Sequence, residues 1–386
     1  MNENGQAPVR RRARHKPAFL ALLAALALAG PAAAGPPVVH AKAFVVEDGA
    51  TGDPLAVHAA QRRLPMASIT KLMTVLLTLE RARLSDRVRI ASASTGATGS
   101  SIHLRAGERL TVRDLLEAAL IQSANDAALA LADYVGHGDR ARFVRLMNAR
   151  ARELGLTQTH FVRPDGLDAP GHVSSARDLT RLGRILMNKP FVRRTVRMRS
   201  ATIAGGRTLS TWNDLLGTFP GIVGVKTGHT SRAGWCQVAA ARGQGVTVYA
   251  TILGSPTRAQ RNVDLAALLR WGLSRFRAAT VISTRRVYAT ADAPFDRGPV
   301  RLVAAHRVRR AVRLGRRLVE RVVAPSVVAL PVTRGEELGE VQVYDGSRLV
   351  AHSPLVAAQD VAAPNLPSKA AWYAKRAAEN IKGWLP

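Results

Sequence analysis

Two periodicities, near two and near four, take turns along the chain. Residues 43–46 are strand-like, 48–53 with Gly49 and Gly52 read as a turn, and 55–59 as a returning strand, which predicts a hairpin. After Pro65, residues 69–84 hold Leu72, Met73, Leu76, Leu77 and Leu79, with Lys71 as the only early charge. A helix this apolar belongs in the centre of a domain. Thr111 and Asp114 have capping-box spacing ahead of Leu115, Leu116 and Ala119, which predicts a second helix to about Ile121. Ser123-Ala-Asn-Asp126 interrupts it, and a further helix follows through Tyr134. Residues 222–225, 235–241 and 246–253 are strand-like runs separated by Gly-bearing breaks, which predicts neighbouring antiparallel strands. Residues 263–276 then close this part with a helix whose Leu265, Leu268, Leu269 and Leu273 share one face.

From about Thr280 the pattern changes to short β-branched runs broken by Pro294, Pro299, Pro325 and Pro331. Asp345-Gly346 between residues 341–344 and 348–351 is a hairpin signal. The predicted architecture is therefore α/β followed by all-β: a main domain over 35–279 with an antiparallel sheet and a helical cluster, then a small β-rich domain over 280–366. Residues 367–386 form an amphipathic tail, with Tyr373, Ala377, Ile381, Trp384 and Leu385 on one side. Such a helix can lie in a membrane interface but cannot cross a bilayer; packing against its own domain is the alternative.

The N-terminus reads as a targeting segment. Arg10, Arg11, Arg12, Arg14 and Lys16 precede an uncharged run over 18–29, after which Gly30 and Pro31 break a helix and Ala32-Ala33-Ala34 offers small residues to a signal peptidase. Residues 1–34 are thus expected to be an export signal. A permanent anchor is the rival reading, but the run is shorter than the ~20 residues that span a bilayer. Export places the protein in the periplasm or on the outer face of the cytoplasmic membrane.

Charge and cysteine content narrow the classes further. The formal charge is +29, carried by 48 Arg and only 8 Lys. An exported location and an aromatic content of 5% argue against a nucleic-acid groove. Anionic envelope polymers and lipid headgroups remain as neighbours, and solvated Arg-rich faces account for the charge equally well. The Arg cluster over 307–321 reads as the solvent side of strands. A single cysteine, Cys236, excludes an intrachain disulfide, a structural zinc cluster and a CxxC redox site. It reads as a small buried hydrophobe.

Three short motifs carry candidate chemistry. Ser68-Ile-Thr-Lys71 is the only Ser-x-x-Lys in the chain, and one-turn spacing sets hydroxyl and amine on one helix face. A serine hydroxyl becomes a nucleophile when a neighbour takes its proton, and a desolvated lysine of lowered pKa can do so without histidine. Ser123-Ala-Asn125, the sole Ser-x-Asn, falls where two helical segments break and can present both side chains to a cleft; a helix cap is the plain alternative. Lys226-Thr-Gly228 follows a strand-like run, with an amine and a hydroxyl able to bind a carboxylate and a glycine that leaves space for a substrate backbone. A turn at a strand end explains the same residues.

The triplet Ser68-x-x-Lys71, Ser123-x-Asn125 and Lys226-Thr-Gly228 resembles the penicillin-recognising serine acyl-transferases. Its context, with Pro65-Met-Ala-Ser-Ile-Thr-Lys-Leu-Met-Thr74, Gly166-Leu-Asp-Ala-Pro-Gly-His172 and Gly224-Val-Lys-Thr-Gly-His-Thr230, is similar to the low-molecular-mass penicillin-binding proteins that act as D-alanyl-D-alanine carboxypeptidases. The resemblance is dense over 40–277 and looser beyond, where the remainder looks like that family's C-terminal β domain and membrane-anchoring tail. It implies a transpeptidase/β-lactamase-like fold with Ser68 as acylated nucleophile, Lys71 as its base and Ser123 as proton donor to the departing D-alanine. Asn125 would orient substrate or Lys71; Lys226, Thr227, Gly228 and His229 would line the substrate strand; Arg261 would help hold the terminal carboxylate, with Arg258 one turn away. Ser68 N–H is one expected oxyanion donor. Two positions depart from the family: Ala124 stands where glycine is common, and Asp165 where histidine is frequent.

The expected activity is removal of the terminal D-alanine from peptidoglycan stem pentapeptides through an acyl-enzyme, without metal or cofactor, and with β-lactam antibiotics as covalent inhibitors. A DD-endopeptidase acting on cross-links would use the same residues. A class A β-lactamase would need a Glu-bearing deacylation loop that is not evident, and a non-catalytic envelope-binding protein would have no use for intact Ser68, Lys71 and Ser123.

Overall fold

Both faces of the principal sheet are apolar, and the side-chain alternation of its strands shows why. The structure, a computed structural model, describes residues 19–27 and 35–382, with side chains from 35 to 379. They divide into two units, one ending at Phe276 and the other starting at Arg277 and including the segment 19–27. In the first, β1 (Ala43–Asp48) and β2 (Pro54–His58) form the predicted hairpin. With β3 (Ile222–Thr230), β4 (Gly234–Gly243) and β5 (Val246–Ser255) they make an antiparallel sheet of order β2-β1-β5-β4-β3. Successive residues point to opposite faces. Phe44, Val46, Ala239, Ala241, Val248 and Ala250 pack on one side with Leu265, Leu268 and Leu269. Ala43, Val45, Val238, Ala240 and Tyr249 join the larger core on the other.

That larger core holds the helices. Helix α1 (Lys71–Arg81) has Leu72, Met73, Val75, Leu76 and Leu77 wholly buried. Helices α2 (Val112–Glu117), α3 (Asn125–Gly136), α4 (Arg140–Glu153) and α5 (Ala176–Met187) complete this layer, while α6 (Arg258–Ser274) covers the opposite sheet face. The capping box at Thr111 is formed, with Asp114 N–H donating to Thr111 Oγ1 at 3.1 Å and Thr111 N–H to Asp114 Oδ2 at 3.0 Å.

Two boundaries differ from expectation. The strand predicted over 222–225 does not stop before Lys226: β3 continues to Thr230 because Lys226, Thr227 and Gly228 stay in register with Val238, Gln237 and Cys236. The turn comes later, where Ala233 N–H donates to Thr230 Oγ1 at 3.1 Å. The closing helix begins at Arg258 rather than 263, since Thr257 caps it through Gln260 N–H at 3.0 Å.

In the second unit, β6 (Val287–Ala291), β7 (Val300–Ala304), β8 (Arg317–Pro325), β9 (Glu337–Asp345) and β10 (Arg348–Ala357) form one antiparallel sheet. In β8, Leu318, Val322 and Ala324 point inward while Arg317 and Arg321 face solvent, so the arginines of this strand alternate with its core residues. The predicted export signal lies outside the described residues except for Phe19–Ala27, which is a strand paired antiparallel with β8 rather than the expected helix. Helix α7 (Leu366–Lys382) corresponds to the predicted tail. Its Trp372 ring lies 5.0 Å from that of Phe295, and Tyr373 is exposed. Among the described residues no helix is long and apolar enough to cross a membrane.

Candidate active site

Ser68 is presented by a tight turn at the mouth of α1. Ala67 adopts φ +50°, an uncommon left-handed conformation for a residue with Cβ, and residues 67–70 form a 3₁₀ turn leading into the helix. Thr70 Oγ1 donates to the Ala67 carbonyl at 2.8 Å and holds the turn closed. One turn on, Lys71 Nζ is 3.0 Å from Ser68 Oγ. It also donates to Asn125 Oδ1 and to the Asp165 carbonyl, each at 2.6 Å. Lys71 is fully buried. An ammonium would use all three protons on these acceptors, whereas a neutral amine would donate to Asn125 and Asp165 and turn its lone pair to the Ser68 hydroxyl.

Ser123 sits at the helix break anticipated from the sequence. Residues 118–122 form a π-helical turn after α2, and Ser123 has φ +65°, a strained conformation that ends the turn and releases α3 in a new direction. Asn125 follows with both ends of its amide engaged, since Nδ2 donates to the Thr98 carbonyl at 2.6 Å. Its contact within the site is thus Lys71.

Strand β3 closes the third side. Lys226 Nζ donates to Ser123 Oγ and to the Thr227 carbonyl, each at 2.8 Å. Gly228 passes so close to Ser68 that a Cβ there would lie 3.0 Å from Ser68 N and 3.1 Å from Ala67 Cβ, so only glycine lets the strand approach without a shift. Ser68, Ser123, Asn125, Thr227, Gly228, His229 and Arg261 line one cavity of about 280 Å³, with Lys71 behind its wall. His229 is stacked on Trp235, ring centroids 4.0 Å apart. Arg261, 1% exposed, is bound to Asp214 Oδ2 at 3.2 Å and Asn262 Oδ1 at 2.6 Å, while Arg258 pairs with the same Asp214.

Burial sets the electrostatics. It pulls the Lys71 ammonium down to about 7, against the opposing pull of the Asp165 and Asp126 carboxylates. It also pulls Lys226 well below the ordinary lysine range, reinforced by the charges of Lys71 and Arg261. Cys236 is buried in β4 with its thiol pushed up to about 11 by the same cause, an inert environment. Among the described residues no three His, Cys, Asp or Glu side chains converge as metal ligands would.

A serine hydroxyl 3.0 Å from a buried amine, a second serine–lysine pair and a glycine strand edge form the arrangement on which comparison with known proteins bears. The D-alanyl-D-alanine carboxypeptidase family, Peptidase_S11, matches residues 31–257. The chain belongs to this family. It is 31% identical over 371 residues to D-alanyl-D-alanine carboxypeptidase DacC of Escherichia coli, covering 89% of this chain and 90% of that protein. Among solved structures, penicillin binding protein 6B from Escherichia coli is similar with TM-score 0.62 and 29% identity, over 86% of this chain and all of that one. The Streptomyces K15 DD-transpeptidase is similar with TM-score 0.59 and 31% identity, over 62% of this chain and all of that one. The expected fold, a transpeptidase-like domain followed by a β-rich one, agrees with these neighbours.

Several residues around this carboxypeptidase-family pocket were given no role from the sequence. His172 is buried beneath the turn: Val162 N–H donates to its Nδ1 at 2.9 Å, so Nε2 holds the proton and donates to Thr70 Oγ1 at 2.8 Å. Burial pulls it down to about 4, which keeps the ring neutral. Asp165 contributes its backbone carbonyl to Lys71, while its carboxylate is held by Arg163 Nε and Nη2 at 2.5 and 2.7 Å. Burial raises that carboxyl, but Arg163 and Lys71 outweigh it and hold it below the usual range. Trp212 and Trp235 form aromatic walls, Trp212 docking by its Nε1–H on the Gln122 carbonyl at 3.0 Å. Asp165, a departure from the family pattern, and His172, the end of a matching segment, were visible as residues, but nothing in their spacing revealed that they meet Lys71 and Thr70.

Proposed function

We propose that this member of the family removes the terminal D-alanine of peptidoglycan stem pentapeptides by acyl transfer through Ser68. Ser68 Oγ attacks the penultimate D-alanyl carbonyl as Lys71 takes its proton, and a C–O bond forms. The C–N bond to the last residue then breaks, with Ser123 passing a proton to the departing amine and Lys226 behind it. Water attacks the ester, Lys71 serves again as base, and Ser68 is regenerated. Penicillin enters the same sequence when Ser68 opens its strained amide, and stalls as the ester.

In this reading Asn125 orients Lys71, and Lys226 with Thr227 and Arg261 supplies positive charge and donors for the substrate's terminal carboxylate. Gly228 and His229 border the bound peptide along β3, and Ser68 N–H contributes to the oxyanion site. The protein acts outside the cytoplasm, as the bacterial cell-wall relatives do, with residues 1–34 as export signal and residues 368–386 contacting the membrane surface.

The observation that carries the proposal is the 3.0 Å approach of Lys71 Nζ to Ser68 Oγ in a site where burial brings the amine to about 7. Incubation with a stem pentapeptide should release D-alanine and leave tetrapeptide, and Ser68→Ala should abolish both this and labelling by a fluorescent penicillin. Persistent labelling of Ser68→Ala would refute the assignment. Release of monomers from a cross-linked dimer, with the pentapeptide untouched, would make the enzyme an endopeptidase instead.

A further inference from the structure

A second cavity, of about 260 Å³, shares no lining residue with the Ser68 cleft. Arg177, Arg181 and Arg184 line it from successive turns of α5, at the spacing that puts them on one helix face. Its acidic members are Glu47 of β1 and Asp178. Asp178 is already engaged, accepting from Gln158 N–H at 2.8 Å and Thr159 Oγ1 at 2.7 Å. Glu47 lies 3.9 Å from Arg184 Nη1, too far for a hydrogen bond. Arg184 Nη1 is buried and has no hydrogen-bond partner among the described residues.

The wall is shaped for these side chains. Gly52, at φ +77°, lies so close to Arg184 that a Cβ there would fall 1.8 Å from Nη1. Three guanidiniums facing one space, one with a buried nitrogen that makes no hydrogen bond, call for an anion. Set against the Asp178 carboxylate, whose Oδ2 is already taken by Gln158 and Thr159, the three guanidiniums leave a surplus of charge and donors that matches a dianionic tetrahedral group. Burial pushes the Glu47 carboxyl up to about 7 despite all three arginines, so near neutral pH it can add a donor to the set. The volume lies just under the range of drug-sized pockets, which limits the ligand to a small one.

We propose that this cavity is a phosphoryl-binding site, taking a pyrophosphate-sized anion or the terminal phosphate of a lipid headgroup through Arg177, Arg181 and Arg184. Calorimetric titration of the full chain with sodium pyrophosphate should show saturable one-to-one binding. The dissociation constant should rise at least tenfold in Arg181→Gln and in Arg184→Gln, and stay unchanged in Arg87→Gln, an exposed arginine outside the cavity. Penicillin acylation should be unchanged in all three. Arg181 is exposed, so its replacement leaves the core intact and decides the matter by itself should Arg184→Gln disturb folding. Vesicles of phosphatidylcholine with phosphatidic acid separate the two sources. Binding that pyrophosphate displaces supports a headgroup, and pyrophosphate binding without vesicle binding supports the free anion. No saturable binding, or an equal loss in Arg87→Gln, overturns the site.

Discussion

Lys226 Nζ donates to Ser123 Oγ at 2.8 Å, joining β3 to a residue 103 positions earlier in the chain. Both side chains are buried, and the amine is pulled well below the ordinary lysine range by burial and then by the charges of Lys71 and Arg261. Such an amine can hand a proton to Ser123 during expulsion of the leaving group. Lys226→Met keeps most of the volume and removes the donor, so the rate of penicillin acylation should fall by about 10²–10⁴. Lys226→Arg should not restore it, because a guanidinium does not give up its proton. A time course of fluorescent-penicillin labelling measures both, and a parental rate in Lys226→Met would take this residue out of the proton path.

The base should leave its mark on the pH profile. In the proposed reaction Lys71 serves as the free amine, and burial brings its ammonium from 10.5 to about 7. The active form therefore accumulates as pH rises through about 7. Acylation under second-order conditions should climb roughly tenfold per pH unit below that point and level off above it. A profile that is flat from pH 5.5 to 8.5 would contradict a lysine base.

Asp165 and Arg163 should move that inflection in opposite directions. The Asp165 carboxylate favours the Lys71 ammonium and Arg163 disfavours it. Asp165→Asn should displace the acylation inflection toward acid, and Arg163→Met toward base. Because the Asp165 contact to Lys71 Nζ is made by the backbone carbonyl, the asparagine variant retains that hydrogen bond. Inflections that do not separate would show that this ion pair only braces the loop.

The motif residues could be recognised in the sequence because each chemical role restricts residue type, and short spacing then fixes neighbours: Ser68 and Lys71 are one turn apart by necessity. The sheet was readable for a related reason, since the apolar runs over 235–241 and 246–253 are short and bounded by glycines, which favours strands buried on both faces. What escaped was long-range pairing. Nothing local says that Lys226 lies inside a strand rather than after it; register with Val238 and Cys236 decides that. Nor does any pattern join His172 to Thr70, 102 residues apart, since a single histidine in a loop fits many environments. The apolar run over 18–29 suits a helix as well as a strand, and pairing with β8 selects the strand for Phe19–Ala27.

His172 should make the fold acid-sensitive. Its ring is held at about 4 by burial, against 6.5 in an unfolded chain. Above pH 6.5 both states are neutral and the stabilising contacts to Thr70 and Val162 are fully present. As pH falls from 6.5 toward 4 the unfolded chain takes up a proton that the folded one refuses, so stability is lost over that window, on the order of 3 kcal/mol. Glu47 works in the other direction, since its raised pKa favours the folded state as pH falls below about 7. Comparing a variant with its parent cancels that term. His172→Gln keeps an acceptor for the Val162 N–H and a donor for Thr70 but does not titrate. Urea unfolding at pH 7.5 and pH 4.5 should therefore show the parent losing more stability than His172→Gln, by about 2–3 kcal/mol. Equal losses in the two proteins would mean that the ring accepts its proton in place, and that the turn carrying Ser68 tolerates a charge beneath it.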